Sequence, residues 1–243
     1  MRIGTSAILT LDPVIALLCG LAAGLVAFSV ATSLPLFSGG REGTEPLDAP
    51  LALDPVLPSL SSYAGWIGRA FSTIAPLSAI LAFYTLGLER EQGYSLIGLL
   101  YGESRLRYYA SRIAIPWLAY STAVSLGALT GIALNDTLLV AFIPWFPALL
   151  ALLAFYIASL QLTISYVANM VFKRSLLALL ASIAVLYILT ITGLWLKAIP
   201  VDITSMKPVE LADILRCLAA AIASLLAMTL IAVTAARILP LRV

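Results

Sequence analysis

The sequence predicts an all-α membrane protein, with six transmembrane helices and a short cytoplasmic amphipathic helix between the second and the third. Three observations carry that prediction. The 243 residues are 62% apolar and 11% charged, with a mean hydropathy of +1.05, whereas roughly a quarter of a soluble domain is charged. The charge-free runs match the about 20 residues a helix needs to cross the hydrocarbon core. The charges are also bunched: the stretch LEREQGYSLIGLLYGESRLRYYASR, Leu88 to Arg112, holds seven of the 26. A disulfide-stapled secreted domain does not fit, because Cys19 and Cys217 both lie in or beside apolar runs and nothing pairs them.

The first expected span covers residues 13–36, with Asp12 placed as an N-cap and Pro13 at the first helical position. A cleavable signal is the alternative there, since Ala31-Thr32-Ser33 loosely fits a cleavage site. The apolar run is too long for that, and Arg2 is its only positive charge, so a retained span is expected. An external connector, residues 37–69, comes next, with Pro46, Pro50, Pro55 and Pro58 and an acidic first half. Tyr63 and Trp66 at its end suit an outer interface.

Spans two and three are expected over 70–88 and 113–134, with Pro116 kinking the third. The run before Lys173 exceeds one upright helix. Pro144 and Pro147 make its start an entry turn, and the fourth span is placed at 147–172. The fifth covers 175–196 and the sixth 217–236. Between them, 198–216 reads as a loop, with Pro200 and Pro208 breaking its path. Asn135-Asp136-Thr137 forms a glycosylation sequon, but its closeness to two spans favours a tight turn.

Orientation follows from the basic residues of the connections. Arg2, Arg90, Arg105, Arg107, Arg112, Lys173, Arg174, Arg237 and Arg242 fall on one side, nine of the fourteen Lys and Arg. Arg41, Arg69, Lys197, Lys207 and Arg216 fall on the other, diluted by most of the acids. Both termini and the 88–112 stretch are therefore expected in the cytoplasm, and the protein in the cell membrane.

The six spans contain no Asp, Glu, Lys, Arg or His. Gradient-driven carriers usually hold carboxylates or histidines at depth, so that class is disfavoured. The strongest polar groups in the spans are Gln161 and Asn169, set to line a substrate path or to hydrogen-bond between helices. With no histidine in the chain, serine–histidine dyads, HExxH zinc sites and His-ligated haem are excluded. No GK[ST] phosphate loop exists, since the only lysines follow Phe172, Leu196 and Met206. No catalytic residue, metal ligand or cofactor site is expected on this chain, and no nucleic acid among its partners.

Within the charged stretch, Glu89, Arg90 and Glu91 leave the membrane, and acids there favour a helix start. Tyr94, Ile97, Leu100 and Tyr101 cover one side of the next helix, while Ser95, Gly98 and Gly102 form a strip of small residues. Gly102-Glu103 breaks that helix. Ser104 is placed to cap the next, and Arg105, Arg107 and Arg112 climb into the third span beside Tyr108 and Tyr109. The plain reading is an interfacial helix with positive-inside arginines. The sharper one is a docking element for a soluble partner.

At these residues the chain resembles the permeases of type-2 ATP-binding-cassette transporters. Their recurrent pattern is close to E-R-E-x-G-T-x-x-x-L-L-x-x-P-x-S-R before a span. Glu89, Arg90, Glu91 and Gly93 match it, as do Leu99 or Leu100 and Ser104-Arg105. Tyr94 stands where Thr is usual, and Gly102-Glu103 replaces the Pro. The resemblance implies that 89–112 is a coupling segment seated on a separate ATPase subunit, which binds ATP and magnesium. Glu89, Arg90, Glu91, Gly93, Tyr94, Ile97, Leu100, Tyr101, Ser104 and Arg105 would be the docking residues. It further implies a dimer, of identical chains or with a related permease, an export direction, and a re-entrant path at 198–216 as the alternative to a loop. Membrane lipid as the surrounding partner follows from the composition. Two other classes stay open: a non-catalytic structural or assembly subunit of a larger membrane complex, and an ion-gradient carrier.

Overall fold

The computed structural model describes residues 15–22, 72–88, 91, 104–135, 145–201 and 211–239. Among them the chain is helical apart from short turns. The helices are α1 (15–22), α2 (Ser72–Leu88), α3 (Arg105–Asn135), α4 (Trp145–Val171), α5 (Ser175–Thr192), α6 (Leu194–Ala198) and α7 (Leu211–Ile238). Four of these, α3, α4, α5 and α7, are long and apolar enough to cross a membrane; α2 is apolar but shorter. The connector 37–69 and residues 92–103, with the expected coupling helix, lie outside the described residues, as does all but 15–22 of the first span.

Where the elements depart from their expected bounds, the reason is readable. α3 starts at Arg105 because Ser104 caps it: the Arg107 backbone N–H donates to Ser104 Oγ at 3.3 Å, the N3 geometry of an N-cap. The helix runs unbroken through Pro116. The fifth span ends at Thr192 and not at 196, because Gly193 takes the left-handed conformation (φ 66°) and donates its N–H to Thr190 O. That is the αL stop glycine tolerates. α6 is a separate turn whose end is tied to α4, since Tyr156 Oη donates to Ala198 O at 2.8 Å. α7 begins six residues before the expected 217. Charge-free runs hide this start, yet Asp213 suits the positive end of the dipole and pairs with Arg216 at 3.1 Å.

α4 is the central post and packs against α2, α3, α5 and α7. Trp117 Nε1 donates to Ser159 Oγ at 3.0 Å, and Ser125 Oγ donates to Ala151 O at 2.9 Å. These pairs descend along α4 as they ascend α3, so the two helices run antiparallel. Trp117 also meets Phe155 edge-to-face, with centroids 5.8 Å apart. α1 leans on α3 through glycine: a Cβ on Gly20 would lie 2.7 Å from both Ala123 Cβ and Tyr120 O. Only a residue without a side chain allows that approach.

Candidate functional site

The region of interest is where α2 ends and the charged stretch begins. The last six residues of α2, Phe83–Leu88, are wound as a π-helix. Thr85 Oγ1, which also bonds Leu81 O on its own helix, lies 3.0 Å from Tyr166 Oη on α4. Both side chains are buried. Two residues on, Gly87 lies under Asn169 of α4 and Ser175 of α5: a Cβ there would meet Asn169 Oδ1 at 2.7 Å and Ser175 Cβ at 3.0 Å. The missing side chain makes room for a close three-helix junction.

Glu91 closes the same junction. Arg174, at the N-cap of α5, has extended backbone and makes no side-chain cap. The first amide of α5 is served from 84 residues away instead, as Ser175 N–H donates to Glu91 Oε1 at 2.7 Å. A carboxylate at a helix N-terminus gains from both the charge-assisted bond and the dipole.

On the far side of the stretch, Arg105 reaches from the first turn of α3 to the end of α7, where Nη2 donates to Leu239 O. Cations on terminal carbonyls are favourable for the mirror reason. Arg112 is nearly buried, with its guanidinium carbon 5.8 Å from the Tyr108 ring centroid. Tyr108 in turn packs edge-to-face on Tyr109.

Among the residues expected to dock a partner, Glu91, Ser104 and Arg105 are described, and each holds a helix end of this chain. Glu91 caps α5, Ser104 caps α3, and Arg105 ties the end of α7. Glu89, Arg90, Gly93, Tyr94, Ile97, Leu100 and Tyr101 lie outside the described residues. Gln161 and Asn169 are both buried on α4. Ser165 Oγ donates to Gln161 O, and Asn169 Nδ2 donates to Ser165 O, at 2.8 and 2.9 Å. Gln161, Ser165 and Asn169 thus form an i, i+4, i+8 polar edge on one helix face, whose lower end abuts the π-turn.

Three partners in this junction escape a reading of the sequence. Tyr166 does so because its apolar ring hides its hydroxyl within a long apolar run. Thr85 and Gly87 sit in the string Thr-Leu-Gly-Leu just before Glu89, and two small residues there are the available signal. The π-winding has none. Comparison with known proteins adds nothing by likeness: no family model, no curated protein and no solved structure matches this chain.

Proposed function

We propose that the chain is the membrane-spanning permease of an ATP-driven transporter, an exporter by resemblance, whose ATP is hydrolysed on a separate subunit. One observation supports this reading most. The segment whose ends resemble a coupling motif is fastened at both ends to helices other than its own: Glu91 to the start of α5, and Arg105 to the end of α7. A push on residues 92–103 would be felt at four helices: α2 and α3, which flank the segment, and α5 and α7, which Glu91 and Arg105 hold at its two edges.

The chemistry assigned to this chain is mechanical. It makes and breaks no covalent bond; it offers an apolar helical path and a lever. The partner ATPase holds ATP and magnesium, and a second permease, identical or related, completes the path. In this arrangement both termini and the charged stretch face the cytoplasm.

Purification from native membranes in mild detergent, with mass spectrometry of the proteins that accompany the chain, tests the reading. A stoichiometric soluble protein bearing a phosphate-binding loop is expected. Membrane subunits in fixed ratio with no nucleotide-binding protein would replace it by an assembly role. Transport by the purified chain alone under a proton or sodium gradient would replace it by a carrier.

A further inference from the structure

A π-turn closes wider rings than an α-turn and is found mostly as short pieces inside other helices. In α2 the wider path coincides with three contacts: Thr85 with Tyr166, Gly87 beneath Asn169 and Ser175, and, three residues past the turn, Glu91 on the Ser175 amide. Rewinding residues 83–88 as α-helix would shift the chain beyond Leu88 by about one residue, some 100° of rotation and about 1.5 Å of rise. Within the segment the rewinding would turn Gly87 out from beneath Asn169, and beyond it the full shift would draw Glu91 off Ser175. The contacts therefore belong to one winding of the backbone.

We propose that the π-turn and the Glu91 cap form a two-position latch. In the π winding, the end of α2 and the start of α5 move as one body. In the α winding, α5 is released. The proposal rests on the function given above only for the force that throws the latch, a displacement of the segment after Glu91; the latch itself belongs to this chain.

Hydrogen–deuterium exchange on the full chain in lipid nanodiscs, with no partner present, tests it. A latch couples its two ends reciprocally. Glu91→Ala is expected to raise exchange at residues 175–178 by roughly fivefold, the order of a lost helix cap, and to raise it at 83–88 as well. Tyr166→Phe, which removes one hydroxyl from a buried ring, is expected to loosen 83–88 and, through the latch, 175–178. Glu91→Gln keeps an acceptor oxygen and should fall between Glu91→Ala and the native chain. If Glu91→Ala changes only 175–178, or changes nothing, the cap is local and the latch is overturned. The same holds if Tyr166→Phe leaves 175–178 untouched. These readouts need no ATPase, so a failed co-purification would overturn the proposed function while the exchange data alone decide the latch.

Discussion

α4 and α7 are drawn from the same apolar vocabulary and are used in opposite ways. In the most apolar stretch of α4, 61% of the residues are buried inside the protein, against 17% in that of α7. α4 carries Gln161, Ser165, Tyr166 and Asn169 inward together with its leucines. α7 turns Leu218, Ile222, Leu225, Leu226 and Leu230 outward and buries Cys217, Ser224, Met228, Ala232, Ala235 and Ala236. α5 behaves much as α7 does: Ser175, Ala178 and Ser182 are buried, with Leu186 the one large side chain among them, while Leu176, Leu177, Leu180 and Ile188 are exposed. In water, apolarity separates inside from outside. In a bilayer it does not, because lipid tails are as apolar as leucine, and small or hydrogen-bonding residues mark the protein side.

The largest expected contrast is between a core aromatic and an outer leucine. Trp117 is 1% exposed, and it bonds Ser159 and packs on Phe155. Trp117→Ala should cost about 3–5 kcal/mol. Leu226 on α7 is 59% exposed, and Leu226→Ala should stay within about 0.5 kcal/mol. Reversible unfolding in mixed micelles measures both. Equal losses would mean that the outer face of α7 is packed on protein and that the comparison fails.

Charge sharpens the same comparison. Leu226→Arg should cost about 3 kcal/mol of insertion, on the scale for a cation near the centre of a span, although truncation at that position is silent. A glycosylation-mapped insertion assay reads it. Undiminished insertion would place Leu226 outside the hydrocarbon.

Gly20→Ala comes next. The added methyl would stand 2.7 Å from Ala123 Cβ and from a backbone oxygen of α3, and the backbone cannot swing aside. Overpacking of this kind costs about 1–3 kcal/mol. Ala123→Gly should restore part of the loss, since it removes one of the two clashing atoms. A double variant no more stable than Gly20→Ala would locate the conflict wholly in the Tyr120 carbonyl.

The solvent also decides how much of the molecule is legible in its sequence. Long charge-free runs locate α3, α4, α5 and α7, because insertion depends on the total apolarity of a stretch. Ser104 is readable as a cap because capping is local. The stop at Gly193 is not readable, since glycine within an apolar run carries no charge to mark it. The early start of α7 is hidden for the opposite reason: Asp213 and Arg216 look like loop residues, although they neutralise each other one turn apart. Least legible is the junction at Gly87. Its partners lie about eighty residues away or more, and nothing local in Thr-Leu-Gly-Leu names Asn169 or Tyr166.

The smallest expected effect tests whether polar groups in the α4 core stabilise or merely avoid loss. Ser159→Ala removes the acceptor of the Trp117 Nε1–H bond and leaves that donor buried. In water-soluble cores such an orphan costs about 1–3 kcal/mol. Between membrane helices the measured average for such bonds is about 0.6 kcal/mol, because the separated helices also find partners. A double-mutant cycle with Trp117→Phe isolates the bond from the packing. A coupling near 0.6 kcal/mol would make α4 an ordinary membrane post whose inward serines chiefly fix register. A coupling above about 2 kcal/mol would mean that the interior of this bundle is dry and closed around α4, and that the difference from α7 is one of solvent as well as of packing.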